Sequence, residues 1–330
     1  MKKIFSLLVI VNTFLILFVG FSCNAFSVKN ETEITVAMAL DNNFTLPTIV
    51  TMTSILENTK STTRIDFELL ISGDFLPSNK QKIMSLMHRY NCKINLIDMG
   101  KSYLHNRVDG HIPTATYYRL KLPSILINKD KCLYIDGDTI IKKDLSDIYN
   151  WEMDDYYIAG VKDWAICAKG KDYADFLGIK TMDDYVNAGV LVINLQKMRK
   201  DKLEQKFEDF MPIINNATKR QVHHDQDILN AVCFGKIKHL PLKYNAMTGK
   251  TVFSLKHYNS NPIIRKCYKK EEWREAGNNP VIIHYTWKKP WNILNRKFAD
   301  QWWYYADKSG FIKEIKEKYQ PEYVGIPFCN

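Results

Sequence analysis

Two aspartates separated by a single glycine, Asp136-Gly137-Asp138, stand at the end of the apolar run Leu133–Ile135. In an extended backbone, side chains two positions apart share a face, so both carboxylates can converge on one cation. Gly137 has no Cβ, which lets a bulky anion come close to the backbone. Two hard oxygen donors suit Mg2+ or Mn2+, with phosphate oxygens filling the remaining positions. Other chemistries compete for the same residues. A solvated Asp-Gly turn would use them only to reverse the chain. An EF-hand loop needs Asp or Asn at its fifth position, where Ile140 stands. A phosphohydrolase with a strand-end D-x-D-x-T nucleophile needs its threonine one place later than Thr139. That motif also closes the first strand of its domain, whereas this one closes about the fourth.

The elements that must position these carboxylates follow from periodicity. Strands are expected at Glu33–Leu40, Ile65–Ser72, Lys93–Asp98 and Lys131–Asp136. Between them, helices are expected at Leu46–Asn58, with Pro47 in the first turn, at Pro77–Arg89, and at Thr114–Leu122, ending before Pro123. This alternation predicts an α/β fold with a mostly parallel central sheet flanked by helices. Ligands of such sheets sit beyond the carboxyl ends of the strands, so Asp41-Asn42-Asn43 and Asp136-Gly137-Asp138 fall on one rim. Further on, Asn187-Ala188-Gly189 leads into a strand at Val190–Leu195, and Lys202–Met211 reads as a helix. His223-His224-Asp225-Gln226-Asp227 opens another helix, with Asp225 or a neighbour as cap and the two histidines at the surface or capping. Val281–His284 is a late strand. The aromatic run Trp302-Trp303-Tyr304-Tyr305 suits either the core or, with Lys288, Arg296, Lys297 and Lys308 nearby, an anionic membrane.

The chain of 330 residues is 46% hydrophobic and carries a formal net charge of +10, ordinary globular composition with a preference for acidic partners. It shows no zinc-finger spacing and no RNA-binding signature, which sets nucleic acid aside. Lys2 and Lys3 precede the apolar stretch Ile4–Phe21, so residues 1–26 read as a signal peptide or membrane anchor. Membrane association or export is expected, on either face of the membrane. Beyond Cys23, the six cysteines contain no CxxC pair, which argues against structural zinc. Buried free thiols are expected ahead of disulfides.

Four segments in order extend the motif: "TATYYRLKLPSIL" (114–126), "NAGVLVINLQKMR" (187–199), "HHDQDILNAV" (223–232) and "HYTWKKPW" (284–291). With the Asp-Gly-Asp they resemble glycosyltransferase family 8, retaining enzymes that include bacterial lipopolysaccharide and lipooligosaccharide galactosyl- and glucosyltransferases. The resemblance implies a GT-A nucleotide-diphospho-sugar transferase domain at 27–291, followed by a basic aromatic tail at 292–330. It implies a UDP-sugar donor and Mn2+ or Mg2+, with imidazole favouring Mn2+. Ala39, Asp41 and Asn43 would hold uracil and ribose, with Asn42 where many members carry a second aspartate. Asp136, Asp138 and His284 would ligate the metal, and Arg119 would contact donor sugar and phosphate. Lys289 would grip the diphosphate, although a loop one residue shorter than usual also admits Lys288. Asn187 and Gly189 would border the sugar, and His111 and Asp163 the acceptor. Asp225 and Gln226 would sit beside the anomeric carbon. The implied reaction moves galactose or glucose to a hydroxyl of a glycan or glycolipid, with retained configuration. Gln226 is a poor nucleophile and Asp225 is the only carboxylate the motif offers at the anomeric carbon, which favours same-face attack over a covalent intermediate. Glycogenin-like self-glucosylation at a tyrosine and a non-catalytic carbohydrate-binding protein are the alternative readings.

Overall fold

The computed structural model describes residues 32–108, 113–249 and 253–320. The expected leader at 1–26 and His111 lie outside the described residues. Seven strands form the main sheet: β1 (Thr32–Leu40), β2 (Thr63–Ile71), β3 (Cys92–Asp98), β4 (Lys131–Ile135), β6 (Ile158–Lys162), β7 (Val186–Asn194) and β8 (Ile237–His239). Their order is β3-β2-β1-β4-β7-β6-β8. β7 runs antiparallel to both of its neighbours, and the other pairs are parallel. β1 and β2 are buried along nearly their whole length because both faces of a parallel sheet are covered, even though β2 carries Arg64, Asp66 and Glu68. β1 leads to β2 on one side, while the chain returns to its other side as β4, so a crevice opens past the carboxyl ends of β1 and β4.

A small second sheet carries the rest of the rim. It pairs β5 (Thr139–Ile141) antiparallel with β10 (Ile282–His284), which lies parallel to β9 (Ala246–Met247). Helix α1 (Thr45–Glu57) is buried from Thr45 to Leu56, and its internal hydroxyls have a structural purpose. Thr51 Oγ1 donates to the carbonyls of Gly137 (3.0 Å) and Thr139 (2.8 Å), and Ser54 Oγ accepts the N–H of Ile141 at 2.9 Å. These bonds satisfy the backbone of β5 where no strand lies beside it.

Helix Ala299–Lys308 packs against α1 and β5 together. Trp302 is fully buried there with Leu46, Val50, Ile140, Ile283 and Trp291, while Tyr304 stays exposed. The aromatic run is thus mainly core. No helix among the described residues is long and apolar enough to cross a membrane.

Several local expectations need correction. The segment Thr114–Lys121 is a 3-10 helix and continues past Pro123 as Leu122–Ile125, because proline is tolerated in a first turn. The helix expected over 77–89 is α2 (Pro77–Met84) followed by a 3-10 turn, Ser85–His88. His223 takes the N-cap position of helix His224–Val232 without a side-chain cap bond. Asp225 lies inside the first turn with its carboxylate turned elsewhere, and His224 is 1% exposed rather than at the surface. Cys92, Cys132, Cys167 and Cys233 are buried free thiols, as expected.

At the start of β1, Glu33 gathers Lys129 (2.9 Å), Arg64 (2.5 Å) and Lys93 (3.4 Å). Hydrogen bonds from Lys129 and then Arg64 pull its carboxyl from 4.5 to about 2. The folded value is depressed, so the stabilisation is complete above the unfolded value and disappears as pH falls from about 4.5 to about 2. The side chain is 32% exposed, which limits the effect. Glu33→Gln is expected to lower stability by about 0.5–1 kcal/mol at pH 7. Urea midpoints of the two proteins should converge by about pH 2. A gap that persists unchanged there rules out this origin.

Candidate active site

The crevice past β1 and β4 is a cleft of about 790 Å3, whose wall includes Ala39, Arg119, Asp136, Asp138, Asp163, Asn187, Gly189, Asp225, Gln226, His284 and Lys289. Three of these groups come close enough for one cation: ligand atoms of Asp136, Asp138 and His284 all lie within 4.8 Å of one another. The register of the small sheet brings them together. His284 pairs with Thr139 across β10 and β5, and Tyr285 N–H donates to Asp138 O at 3.0 Å. His284 Nε2 then sits 3.2 Å from Asp138 Oδ1 and 3.8 Å from Asp136 Oδ2.

The imidazole is oriented from behind. His284 Nδ1 meets Asn245 Oδ1 at 3.0 Å, and Asn245 Nδ2 donates to Asn187 Oδ1 at 2.9 Å. With Nδ1–H donating, Nε2 faces the carboxylates as a lone-pair donor. Two hard oxygens and one imidazole nitrogen in a water-accessible cleft fit a divalent ion of the Mn2+ or Mg2+ kind. Gly189 makes the approach possible, since a Cβ there would stand 2.2 Å from His284 Cε1 and 2.6 Å from Asp136 Oδ2.

Asp138 is 6% exposed, and burial alone would raise its pKa. Lys289 and His284 more than offset that and hold the carboxyl far below the usual range. Lys289 Nζ donates to Asp138 Oδ2, and to the Tyr285 carbonyl at 3.0 Å, whereas Lys288 is exposed. Of the two lysines, Lys289 is the one at the aspartate pair.

Arg119 is buried and fully engaged. Its Nη2 donates to Asp136 Oδ1 at 3.0 Å, its Nε lies 2.9 Å from Asp225 Oδ2, its Nη1 donates to the Ala188 carbonyl, and Cζ lies 4.1 Å from the centre of the Tyr134 ring. Burial opposes its charge, but Asp136 and Asp225 outweigh that and hold the guanidinium protonated. Burial pushes the Asp225 carboxyl up to about 6, against the pull of Arg119 and of the Thr116 hydroxyl, which donates to Oδ1 at 2.5 Å. Gln226 projects into the cleft between fixed partners. Its Oε1 accepts from the Ala188 N–H (3.0 Å) and Asn187 Nδ2 (3.2 Å), and its Nε2 donates to Asp163 Oδ2 at 3.3 Å.

Not every expected residue joins this constellation. Asp41 Oδ1 accepts the N–H groups of Asn43 and Phe44, each at 3.0 Å, and so caps the approach to α1. Asn43 is exposed, and its carbonyl accepts from Lys318 and Tyr319. Ala39, Leu40 and Phe44 line the cleft at this end, with Asp41 and Asn43 beside it. Asn42 turns away and holds the start of α2 through the Leu76 N–H at 2.9 Å. Thr116 and Asn245 are the contributors that sequence reasoning missed. Thr116 lies three positions before Arg119, a helical spacing that could have flagged it. Asn245 carries no local signal.

A sheet with one antiparallel strand, a switch-point cleft and a strand-end aspartate pair facing a histidine define a GT-A glycosyltransferase. The chain belongs to glycosyl transferase family 8, whose family model matches residues 35–294. It is 31% identical over 266 residues to a lipopolysaccharide 1,2-glucosyltransferase of Escherichia coli, covering 78% of this chain and 73% of that protein. In structure it resembles galactosyltransferase LgtC solved with donor and acceptor sugar analogs, with a TM-score of 0.65, 21% identity, and coverage of 89% of this chain and 98% of LgtC. It also resembles the bifunctional glycosyltransferase WbbM, with a TM-score of 0.69, 20% identity and coverage of 88% of this chain, which spans about half (52%) of WbbM.

Proposed function

We propose that this protein is a metal-dependent, retaining hexosyltransferase that moves galactose or glucose from a UDP-sugar to a hydroxyl of a glycan or glycolipid such as lipopolysaccharide. The observation that carries the reading is the Asp136, Asp138 and His284 cluster at the switch-point crevice with Lys289 on its edge. The E. coli relative, a lipopolysaccharide glucosyltransferase by name, supports the acceptor class. A leader at 1–26 would keep the enzyme beside a membrane that carries such an acceptor.

Asp136, Asp138 and His284 would hold a divalent ion, which would supply Lewis-acid stabilisation to a departing diphosphate. The chain's own groups do the rest. Lys289 places a positive charge where leaving-group charge grows. Arg119, locked between Asp136 and Asp225, keeps the metal-facing carboxylate oriented. Gln226 presents its amide to the sugar from a position fixed by Ala188, Asn187 and Asp163. The carboxylate of Asp225 is taken up by Arg119 and Thr116, which supports same-face attack over a covalent route through that residue.

The test is a screen of UDP-sugars for UDP release with Mn2+. One UDP-hexose is expected to give release that chelation abolishes and added Mn2+ restores. No release from any UDP-sugar, with or without glycan acceptors, overturns the reading.

A further inference from the structure

Next to the cleft lies a second cavity of about 420 Å3. The short helix Trp164–Cys167 stands between them. Asp163, Trp164, Ala165 and Ile166 line the cleft, whereas Cys167 and Ala168 line the second cavity. Across this cavity stands Cys267, the last residue of helix Pro262–Cys267. Cys167 Sγ donates to the Tyr185 carbonyl at 3.7 Å, and its helix packs against helix Pro262–Cys267, so both thiols face the same cavity. Around them the lining includes Lys162, Lys171, Lys180 and Lys266 against a single carboxylate, Asp183. Three of these lysines reach acidic neighbours: Lys162 lies 3.9 Å from Asp184, Lys266 lies 2.6 Å from Asp183, and Lys171 pairs with Asp175. Lys180 is exposed.

We infer that Cys167 and Cys267 form a dithiol site, which an anionic small-molecule disulfide enters through the lysine-rimmed cavity and oxidises to an intramolecular disulfide. Two cysteines from different helices meet at one cavity, which provides both the bond partners and an access route. The pair has a built-in asymmetry. The neighbouring Cys167 thiol holds Cys267 below its ordinary pKa, and Lys162 and Lys266 add to that, while the neighbouring Cys267 and burial push Cys167 up. Cys267 is also the more accessible of the two, Cys167 being 8% exposed.

Cys267 is therefore the attacking thiolate. It loses its proton to solvent and attacks one sulfur of the external disulfide. That S–S bond breaks, a mixed disulfide forms on Cys267, and one thiolate leaves and takes up a proton. Cys167 then loses its proton and attacks Cys267 Sγ, expelling the second thiol. Two protein thiols are oxidised and one external disulfide is reduced. The new bond ties the turn capped by Asp163, whose Oδ1 accepts the Ile166 N–H at 3.3 Å, to helix Pro262–Cys267. It thereby stiffens one wall of the cleft.

The experiment incubates the reduced full-length protein with oxidised glutathione, alkylates the remaining thiols and maps peptides without reduction. A Cys167–Cys267 linked peptide is expected as the main product, with a melting temperature raised by a few degrees. Cys167→Ser should leave a lasting glutathione adduct on Cys267, and Cys267→Ser should leave Cys167 unmodified. Lys180→Glu should slow the reaction several-fold with oxidised glutathione but not with neutral 2-hydroxyethyl disulfide. A mixed disulfide that persists on Cys267 in the wild type, a link from Cys167 to another cysteine, or an unmodified Cys267 overturns the proposal. Equal slowing with both reagents overturns the anionic character assigned to the oxidant.

Discussion

Replacing Asp138 by asparagine is expected to lower Mn2+-dependent UDP release by roughly a thousandfold or more. The substitution keeps shape and volume, so the side chain still fits its buried place just before β5. What it removes is charge. One oxygen of Asp138 lies 3.2 Å from His284 Nε2 and the other receives Lys289. An amide offers one neutral oxygen in place of two anionic ones, and its NH2 group must face either the imidazole or the ammonium. Against Lys289 the amide nitrogen is repelled, and against His284 it consumes the lone pair that would bind metal. With the nitrogen toward His284 only Asp136 remains, and with it toward Lys289 the site keeps Asp136 and His284 but only a neutral oxygen in place of a carboxylate, so either orientation weakens the divalent site. Lys289 is 21% exposed at its side chain and can move toward water, so the loss of its partner should cost about 1–3 kcal/mol of stability rather than the fold. Mn2+ titration, UDP release and thermal melting on the same preparation separate these effects. A well-folded Asp138→Asn protein with near-normal Mn2+ affinity and turnover would remove the cluster from the mechanism.

Much of this arrangement is legible in the chain. The strand-helix alternation from residue 33 onward identifies the parallel half of the sheet, and the rim position of Asp41 and Asp136 follows from it. The parts that escape are those set by pairing between distant short segments. β5 and β9, with three and two residues, are too short to show a period, and β10, expected as Val281–His284, gives no sign of its partners. Yet the pairing of His284 with Thr139 is what puts the imidazole beside Asp138. A slip of one residue would turn it to the other face. Asn245 is invisible for the same reason, since its value lies wholly in reaching His284 and Asn187 at once. The helix opening at His223 illustrates a different failure. Asp225 has the residue type and place of a cap, but a buried arginine at 2.9 Å competes for its carboxylate more strongly than a backbone N–H does. The hydroxyl-rich α1 looks locally polar, yet it is buried because those hydroxyls finish the hydrogen bonding of β5.

The smallest substitution in the cleft should have one of its largest effects. Gly189→Ala adds one methyl group at a position whose backbone conformation any residue can adopt, so no strain arises from the dihedral angles. The cost is steric and falls on the metal ligands. The new Cβ would lie 2.2 Å from His284 Cε1, 2.9 Å from His284 Nδ1 and 2.6 Å from Asp136 Oδ2. The backbone at 189 cannot retreat easily, because its N–H donates to Asn187 Oδ1 at 3.0 Å and its carbonyl accepts the Asp136 N–H at 2.8 Å. The imidazole must therefore swing off Asn245, or the Asp136 carboxylate must turn away from His284. Gly137 makes a useful contrast: a Cβ there would meet Thr48 Oγ1 at 2.4 Å, a hydroxyl of α1 rather than a ligand. Overpacking of this kind costs about 1–3 kcal/mol of stability. Displacing a ligand by about 1 Å costs roughly a hundredfold in rate. The expectation for Gly189→Ala is thus a folded protein that melts a few degrees lower, with Mn2+ affinity reduced about 10- to 100-fold and UDP release reduced about a hundredfold. Excess Mn2+ should recover part of the rate, because occupancy is the first thing lost. Wild-type affinity and rate in the alanine variant would mean that His284 and Asp136 do not work in the positions the cleft gives them, whatever Asp138→Asn shows.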